Sequence, residues 1–185
     1  KTKYSIDQPG SIWWIVNKNR PLPKGYVPPD LLVPVVKLRL AKEAEQMQFS
    51  GKAEIALNEM FAAAGKDGIT LVFGSGYRSE ALQKEFYDSY VAKDGKEAAD
   101  KYSAVPGTSE HQTGLSFDAT SLSEKCHLEI CFADTPEGKW IKDNSYKYGF
   151  IVRYPEGKES VTTYQYEPWH LRYVGTELAA ELQRT

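Results

Sequence analysis

A chain of 185 residues with 41% hydrophobic and 26% charged residues has ordinary globular composition and the length of one domain. A net charge of −2 gives no electrostatic reason to expect nucleic acid or an anionic membrane as partner. No apolar run approaches the ~18 residues that span a bilayer. Lys1 opens the chain with no signal-peptide pattern, so the sequence reads either as cytosolic or as an exported chain whose targeting or anchoring segment lies ahead of Lys1.

Residues 1–35 carry Pro9, Pro21, Pro23, Pro28, Pro29 and Pro34, which break any long helix. Trp13, Trp14, Ile15 and Val16 within them read as a short strand or an apolar anchor, so this segment is expected to be an arm packed on a domain of residues 36–185. From Lys52 the pattern changes: Ala53, Ala56, Leu57, Met60, Phe61 and Ala64 fall on one face of an amphipathic helix bounded by Gly65 and Gly68. Residues 69–73 read as a buried strand ending at Gly74-Ser75-Gly76. Ser79 can cap a second helix with Leu82, Phe86 and Tyr90 repeating at four, and the polar stretch 93–101 reads as a solvated face.

A Gly/Ser/Thr-rich loop (106–114) leads into a strand over 115–119, and 121–134 looks irregular. Thr135-Pro136-Glu137 opens a third helix to about Tyr148, with proline in its favoured first turn. Gly149 ends it before a strand over 150–153. Residues 164–171 form a last strand or strand-turn, and Thr176 caps a closing helix to about Gln183. Helices and strands mix without βαβ regularity, which is an α+β pattern. Cys126 and Cys131 allow three readings: a local disulfide, a metal site with His127, or two free thiols. Zinc pairs usually sit at two to four intervening residues with a second ligand pair, which is missing, and a disulfide would suit an extracellular setting.

Three histidines occur, His111, His127 and His170. His111 lies seven residues before Asp118, and His170 three after Glu167. Two imidazoles and a carboxylate are a catalytic zinc set that leaves a position for water. A carboxylate outside that set then has to take the proton of the attacking water, and Glu167 is the candidate base. Each residue also has an ordinary reading as a capping or hydrogen-bonding group. Glu110 competes for the role of base but adjoins a ligand and is expected to point away; His127 is assigned to the surface.

Ser109-x-His111-x-x-Gly114-x-x-x-Asp118 followed by Glu167-Pro168-Trp169-His170 resembles the VanY-type D-alanyl-D-alanine carboxypeptidase family of zinc peptidases. Gly74-Ser75-Gly76-Tyr77-Arg78-Ser79 and the stretch Val16 to Pro28 resemble it as well, so the similarity runs from about residue 13 to 175. The amino-terminal stretch is somewhat more similar to the LdcB-type L,D-carboxypeptidases. The resemblance implies one α+β domain with a central antiparallel sheet flanked by helices, and Zn2+ held on the sheet by His111, Asp118 and His170. It implies a secreted or envelope-associated enzyme, expected as a monomer, that removes the terminal D-alanine of peptidoglycan stem peptides. Tetrapeptides (L,D) are favoured over pentapeptides (D,D). An endopeptidase and a non-catalytic zinc-containing binding module are the other readings, and Glu167 favours catalysis. Arg78 suits a terminal carboxylate by its guanidinium fork, or a developing oxyanion. Ser109 is a second donor to that carboxylate. Gln83 reaches substrate or faces solvent, and Tyr77 and Trp169 wall the pocket or belong to the core.

Overall fold

Two short strands that the sequence did not announce, β1 (Leu31–Leu32) and β2 (Phe49–Ser50), pair antiparallel in the structure, a computed structural model describing residues 4–185. Residues 1–3 of the expected arm lie outside the described residues. In the rest of the arm Trp13 to Val16 form no strand. Trp14, Val16 and Leu22 instead bury together as a small apolar cluster with Tyr26 against it.

Helix α1, Glu54–Lys66, follows from the apolar repeat and buries Leu57, Met60 and Ala64. It runs through Gly65, and Gly68 at φ +78° turns the chain. Strand β3 (Val72–Ser75) begins later than expected. Helix α2 (Glu80–Asp94) is capped by Ser79, whose hydroxyl accepts from Leu82 N at 3.2 Å. Its fully buried side chains are Gln83 and Tyr87, and the expected stripe of Leu82, Phe86 and Tyr90 is half-buried. The polar stretch forms α3 (Lys96–Tyr102) with only Ala99 buried.

Strand β4 (Ser116–Thr120) is followed by irregular chain, α4 (Pro136–Asn144) and β5 (Phe150–Tyr154). Thr135 caps α4 through Gly138 N at 3.0 Å, and a 3-10 turn, Ser145–Tyr148, completes what the sequence read as one helix. A short α5 (Glu159–Thr162) was not expected; β6 (Glu167–Tyr173) and α6 (Thr176–Arg184) close the chain. Gly175, not Thr176, is the cap residue of α6.

The central sheet is antiparallel in the order β3-β4-β6-β5. Side chains alternate across a strand, so β4 sends Phe117 and Ala119 into the core while Asp118 goes to the opposite face. Phe73 stacks on Phe117 with centroids 5.1 Å apart, and Phe49 and Phe150 meet Phe117 edge-on at 5.8 and 5.7 Å. This aromatic layer holds the sheet rigid beneath the polar face.

Two irregularities aim that face. Between Phe73 and Ser75 the strand β3 spends two steps where β4 spends one, Ala119 to Asp118, so Gly74 is a bulge. A Cβ on Gly74 would sit 2.8 Å from the Asp118 carbonyl oxygen. Between β5 and β6 the register moves from Val152↔Leu171 to Tyr154↔Glu167, so β6 carries two extra residues. That excess brings Glu167 round to the side of His170.

Cys126 and Cys131 are joined in a disulfide, which removes both the free-thiol and the metal-ligand readings. Cys126 and Leu128 in the loop it closes, and Glu124 just ahead of it, have φ of 60°, 55° and 52°, a conformation that costs a side-chain-bearing residue ~1–2 kcal/mol. By loop-closure entropy a link five positions apart is worth about 2 kcal/mol. Cys126→Ser with Cys131→Ser is therefore expected to lower the melting temperature by ~4–8 °C for a domain of this size. Thermal melts of wild type with and without a dithiol reductant, beside the double variant, check this. A variant that melts with wild type would mean that the link adds nothing.

Candidate active site

The sheet register does most of the assembly. Asp118 on β4 lies directly opposite His170 on β6 and pairs with Ser75 on β3. His111 comes from a 3-10 turn, Glu110–Thr113, capped by Ser109 and ended by Gly114 at φ +71°. His111, Asp118 and His170 each offer a ligand atom, and these atoms lie within 4.8 Å of one another on buried side chains. Asp118 Oδ1 is 3.3 Å from His111 Nε2 and 3.3 Å from His170 Nδ1. It makes no hydrogen bond of good geometry with either.

The far side of each imidazole is already engaged. His111 Nδ1 is 2.7 Å from the Gly76 carbonyl, which can only accept, so Nδ1 carries the proton and Nε2 presents its lone pair. His170 Nε2 is 3.3 Å from Glu110 Oε2, which leaves Nδ1 facing Asp118. Two imidazole lone pairs and an orphaned carboxylate oxygen thus converge on one point, a donor set that fits a zinc-type cation. Burial works against protonating His170, but the Asp118 and Glu110 carboxylates, each 3.3 Å from a ring nitrogen, outweigh this and raise it to about 9. A field that draws a proton to this point also draws a metal cation.

Glu110 is the feature the sequence misjudged most. It is buried and points inward. Oε1 accepts from Arg153 Nε at 2.7 Å and Arg172 Nη1 at 3.1 Å; Oε2 accepts from Ser116 Oγ at 3.1 Å and faces His170 Nε2. Burial would raise its pKa, but the two guanidinium groups and His170 hold it well below the carboxylate range. A saturated, ionised carboxylate is an anchor for His170 and a poor proton acceptor.

Glu167 has the opposite environment. Its Oε2 is 3.6 Å from His170 Nδ1, and among the described residues it belongs to no ligand trio and no donor holds it in a short hydrogen bond. Burial lifts it to about 8, opposed by His170 and Arg78 and reinforced by Asp118. Among the described residues it is the carboxyl group placed to exchange a proton beside the trio.

Arg78 is half-buried, with its side chain 14% exposed. Nη1 donates to Gln83 Oε1 at 2.9 Å, Nη2 donates to Ser75 Oγ at 3.2 Å and lies 3.9 Å from Asp118 Oδ2, and Nε has no hydrogen-bond partner among the described residues. The Gln83 amide nitrogen donates to the Ala104 carbonyl at 2.7 Å and to Ser103 Oγ at 3.3 Å. Gln83 therefore neither faces solvent nor has an amide hydrogen left for a ligand; it holds Arg78. Gly76 permits this strand exit, since a Cβ there would meet the Gln48 carbonyl oxygen at 2.3 Å.

These groups line a cavity of 340 Å³. Ser109 and Trp169 line it, and Trp169 also packs into the core. Tyr77 does not: it is buried behind the strand exit, its N–H donating to the Gln48 carbonyl at 2.7 Å. Tyr90, Tyr102, Tyr154 and Tyr164 add an aromatic wall, and half-exposed Leu128 of the disulfide loop stands at the rim. Tyr154 lies 4.8 Å from the His170 ring. The sequence marks none of these as a pocket residue. His127 is half-buried, with its Cε1 3.5 Å from where a Gly74 Cβ would stand, and joins no metal cluster among the described residues.

The chain is 45% identical over 179 residues to YodJ of Bacillus subtilis, covering 97% of this chain and 66% of YodJ, so it spans just under two thirds of that relative's length. The solved LdcB LD-carboxypeptidase superposes with a TM-score of 0.89 at 45% identity, covering 95% of this chain and 82% of that one. A variant of the vancomycin-resistance D,D-pentapeptidase VanY, solved with Zn(II), superposes with a TM-score of 0.75 at 34% identity over 92% of each chain. The family model for VanY, D-alanyl-D-alanine carboxypeptidase, matches residues 46–176. With that match spanning both motif segments and every residue of the trio, the chain belongs to the VanY D-alanyl-D-alanine carboxypeptidase family.

Proposed function

We propose that this protein is a zinc carboxypeptidase that removes the terminal D-alanine from peptidoglycan stem peptides, acting on tetrapeptides as an L,D-carboxypeptidase. The observation that carries the reading is the convergence of His111 Nε2, Asp118 Oδ1 and His170 Nδ1 beside a buried, non-ligand Glu167. A zinc that served only as a structural staple would need no such carboxyl group. The LD-carboxypeptidase similarity supports the L,D choice, at 45% identity and a TM-score of 0.89 against 34% and 0.75 for the D,D-pentapeptidase. D,D action on pentapeptides is the second reading. The disulfide supports an extracellular or cell-envelope setting, because cytosolic thiols are kept reduced.

Zinc held by the trio would polarise the scissile carbonyl and make hydroxide available near neutral pH. The chain's own residues account for the rest. Glu167 accepts the proton of the attacking water and delivers it to the leaving amine. Arg78 grips the terminal carboxylate, with Gln83 and Ser75 fixing its fork, and Ser109 adds a hydroxyl on the same cavity wall. Glu110 fixes the ring of His170, and the aromatic wall accommodates the remainder of the stem peptide.

Incubation with purified muropeptides of three, four and five residues, with products identified by mass, tests the reading. Loss of one alanine from the tetrapeptide alone is expected. Cleavage of the pentapeptide in preference would move the assignment to D,D action, and no cleavage of any of them would remove it.

The carboxylate clamp has its own test. Amidating the peptide's C-terminus removes the partner charge while leaving the scissile bond, and a hydrogen bond to a charged group is worth about 1.5–3 kcal/mol. A fall of roughly 10- to 150-fold in kcat/KM is expected on the amide. Arg78→Ala should lose a similar factor on the free acid and little more on the amide. Equal penalties on acid and amide, through kcat, would instead make Arg78 an oxyanion stabiliser.

A further inference from the structure

We infer that the amino-terminal arm is a positioning element of the metal centre, acting on His170 through Arg172 and Glu110. The inference rests on the zinc reading above and extends it to residues 11–16, outside the stretch matched by the family model.

The connection is a continuous chain of hydrogen bonds. Arg172 is 2% exposed, and its Nη2 donates to two arm carbonyls, Ile12 at 3.1 Å and Trp14 at 2.8 Å. Its Nη1 donates to Glu110 Oε1 at 3.1 Å, and its Nε to the Tyr173 carbonyl at 3.1 Å. Glu110 in turn meets His170 Nε2 through its other oxygen at 3.3 Å. Arg172 therefore has donors committed on both sides, and the arm carbonyls fix which way its fork points. Without them a buried guanidinium would keep only Glu110 and its own strand, and its cation would be free to pull Glu110 off the imidazole. Outer carboxylates that hold a ligating histidine fix its tautomer and ring angle, and their loss typically weakens metal binding by about 10- to 100-fold.

The arm is held to the domain independently of Arg172, which makes it a rigid brace. Trp13 Nε1 donates to the Val174 carbonyl at 2.8 Å. Within the arm Trp14 packs on Val16 and Leu22, its ring 5.1 Å from that of Tyr26, which fixes the arm's own shape. The Leu22 N–H donates to the Gly107 carbonyl at 2.8 Å, and Gln112 Nε2 to the Tyr26 carbonyl at 3.1 Å. The last two contacts reach the loop and turn that carry His111, so the arm touches both histidine-bearing segments.

Zinc affinity, measured by chelator competition on the full chain, together with melting of the zinc-free protein, tests this without recourse to activity. Trp14→Ala removes the apolar centre that shapes the arm and touches no ligand. It should weaken zinc binding by about tenfold, the lower end of the range for lost outer support, and Trp14→Phe should recover most of that. Arg172→Gln should weaken binding at least as much. Met60→Ala, in α1 and outside this chain of hydrogen bonds, is the stability control. It should lower the melting temperature and leave zinc affinity in place. Should Arg172→Gln fail to fold, the Trp14 pair decides alone. Wild-type affinity in Trp14→Ala would overturn the inference, as would an equal weakening in Met60→Ala. A wild-type chain that binds no zinc, or a His170→Ala variant that binds it equally well, would instead remove the zinc reading and the inference with it.

Discussion

Glu167→Gln is expected to keep the fold and the zinc while losing roughly 10²- to 10⁴-fold in turnover, the usual worth of a positioned general base. The side chains are nearly the same size, so the packing round a 7%-exposed residue is preserved. An amide, unlike a carboxylate, cannot accept the water's proton. Zinc content should hold because Glu167 is not one of the three converging donors. Steady-state kinetics on the tetrapeptide and elemental analysis of the same sample check both halves. A variant with near-normal kcat would exclude Glu167 as the base. Glu110 could not take its place, because both its oxygens are committed to Arg153, Arg172, Ser116 and His170.

His170→Ala should lose metal and activity together. Removing it reduces three donors to two, and it also strips Glu110 of the imidazole that it orients. Turnover should fall to the background rate, and chelation of wild-type zinc should produce the same state. Added zinc should restore the chelated wild type and leave the variant inactive. Full activity in a demonstrably zinc-free variant would end the metal reading, whereas a zinc-bound but inactive variant would give His170 some role other than ligation.

The short sequence patterns and the scarcity of histidine carried much of the result. Helix α1 was legible because six apolar residues repeat at one helical face, and the starts of α2 and α4 because Ser79 and Thr135-Pro136 are local capping signals. His111, Asp118, His170 and Glu167 stood out because their residue types and spacing have few other uses in combination. Such signals act within a few residues of chain, and they survive without knowledge of the fold.

What the tertiary structure decided depends on neighbours far apart in sequence. Glu110 became an anchor because two arginines, 43 and 62 residues away, reach it in the interior. Gln83 became the holder of Arg78 because α2 buries the Gln83–Tyr87 side, where a hydrophobic stripe would have predicted Leu82 and Phe86. Tyr154 and Tyr164, which nothing in the sequence marks, stand on the cavity wall, while Tyr77, a candidate for that wall, is buried away from it. The two bulges, at Gly74 and in β6 before Leu171, decide which side chains share the site face. A strand's period of two fixes alternation but not the origin of the count, and only pairing with a partner strand sets that origin.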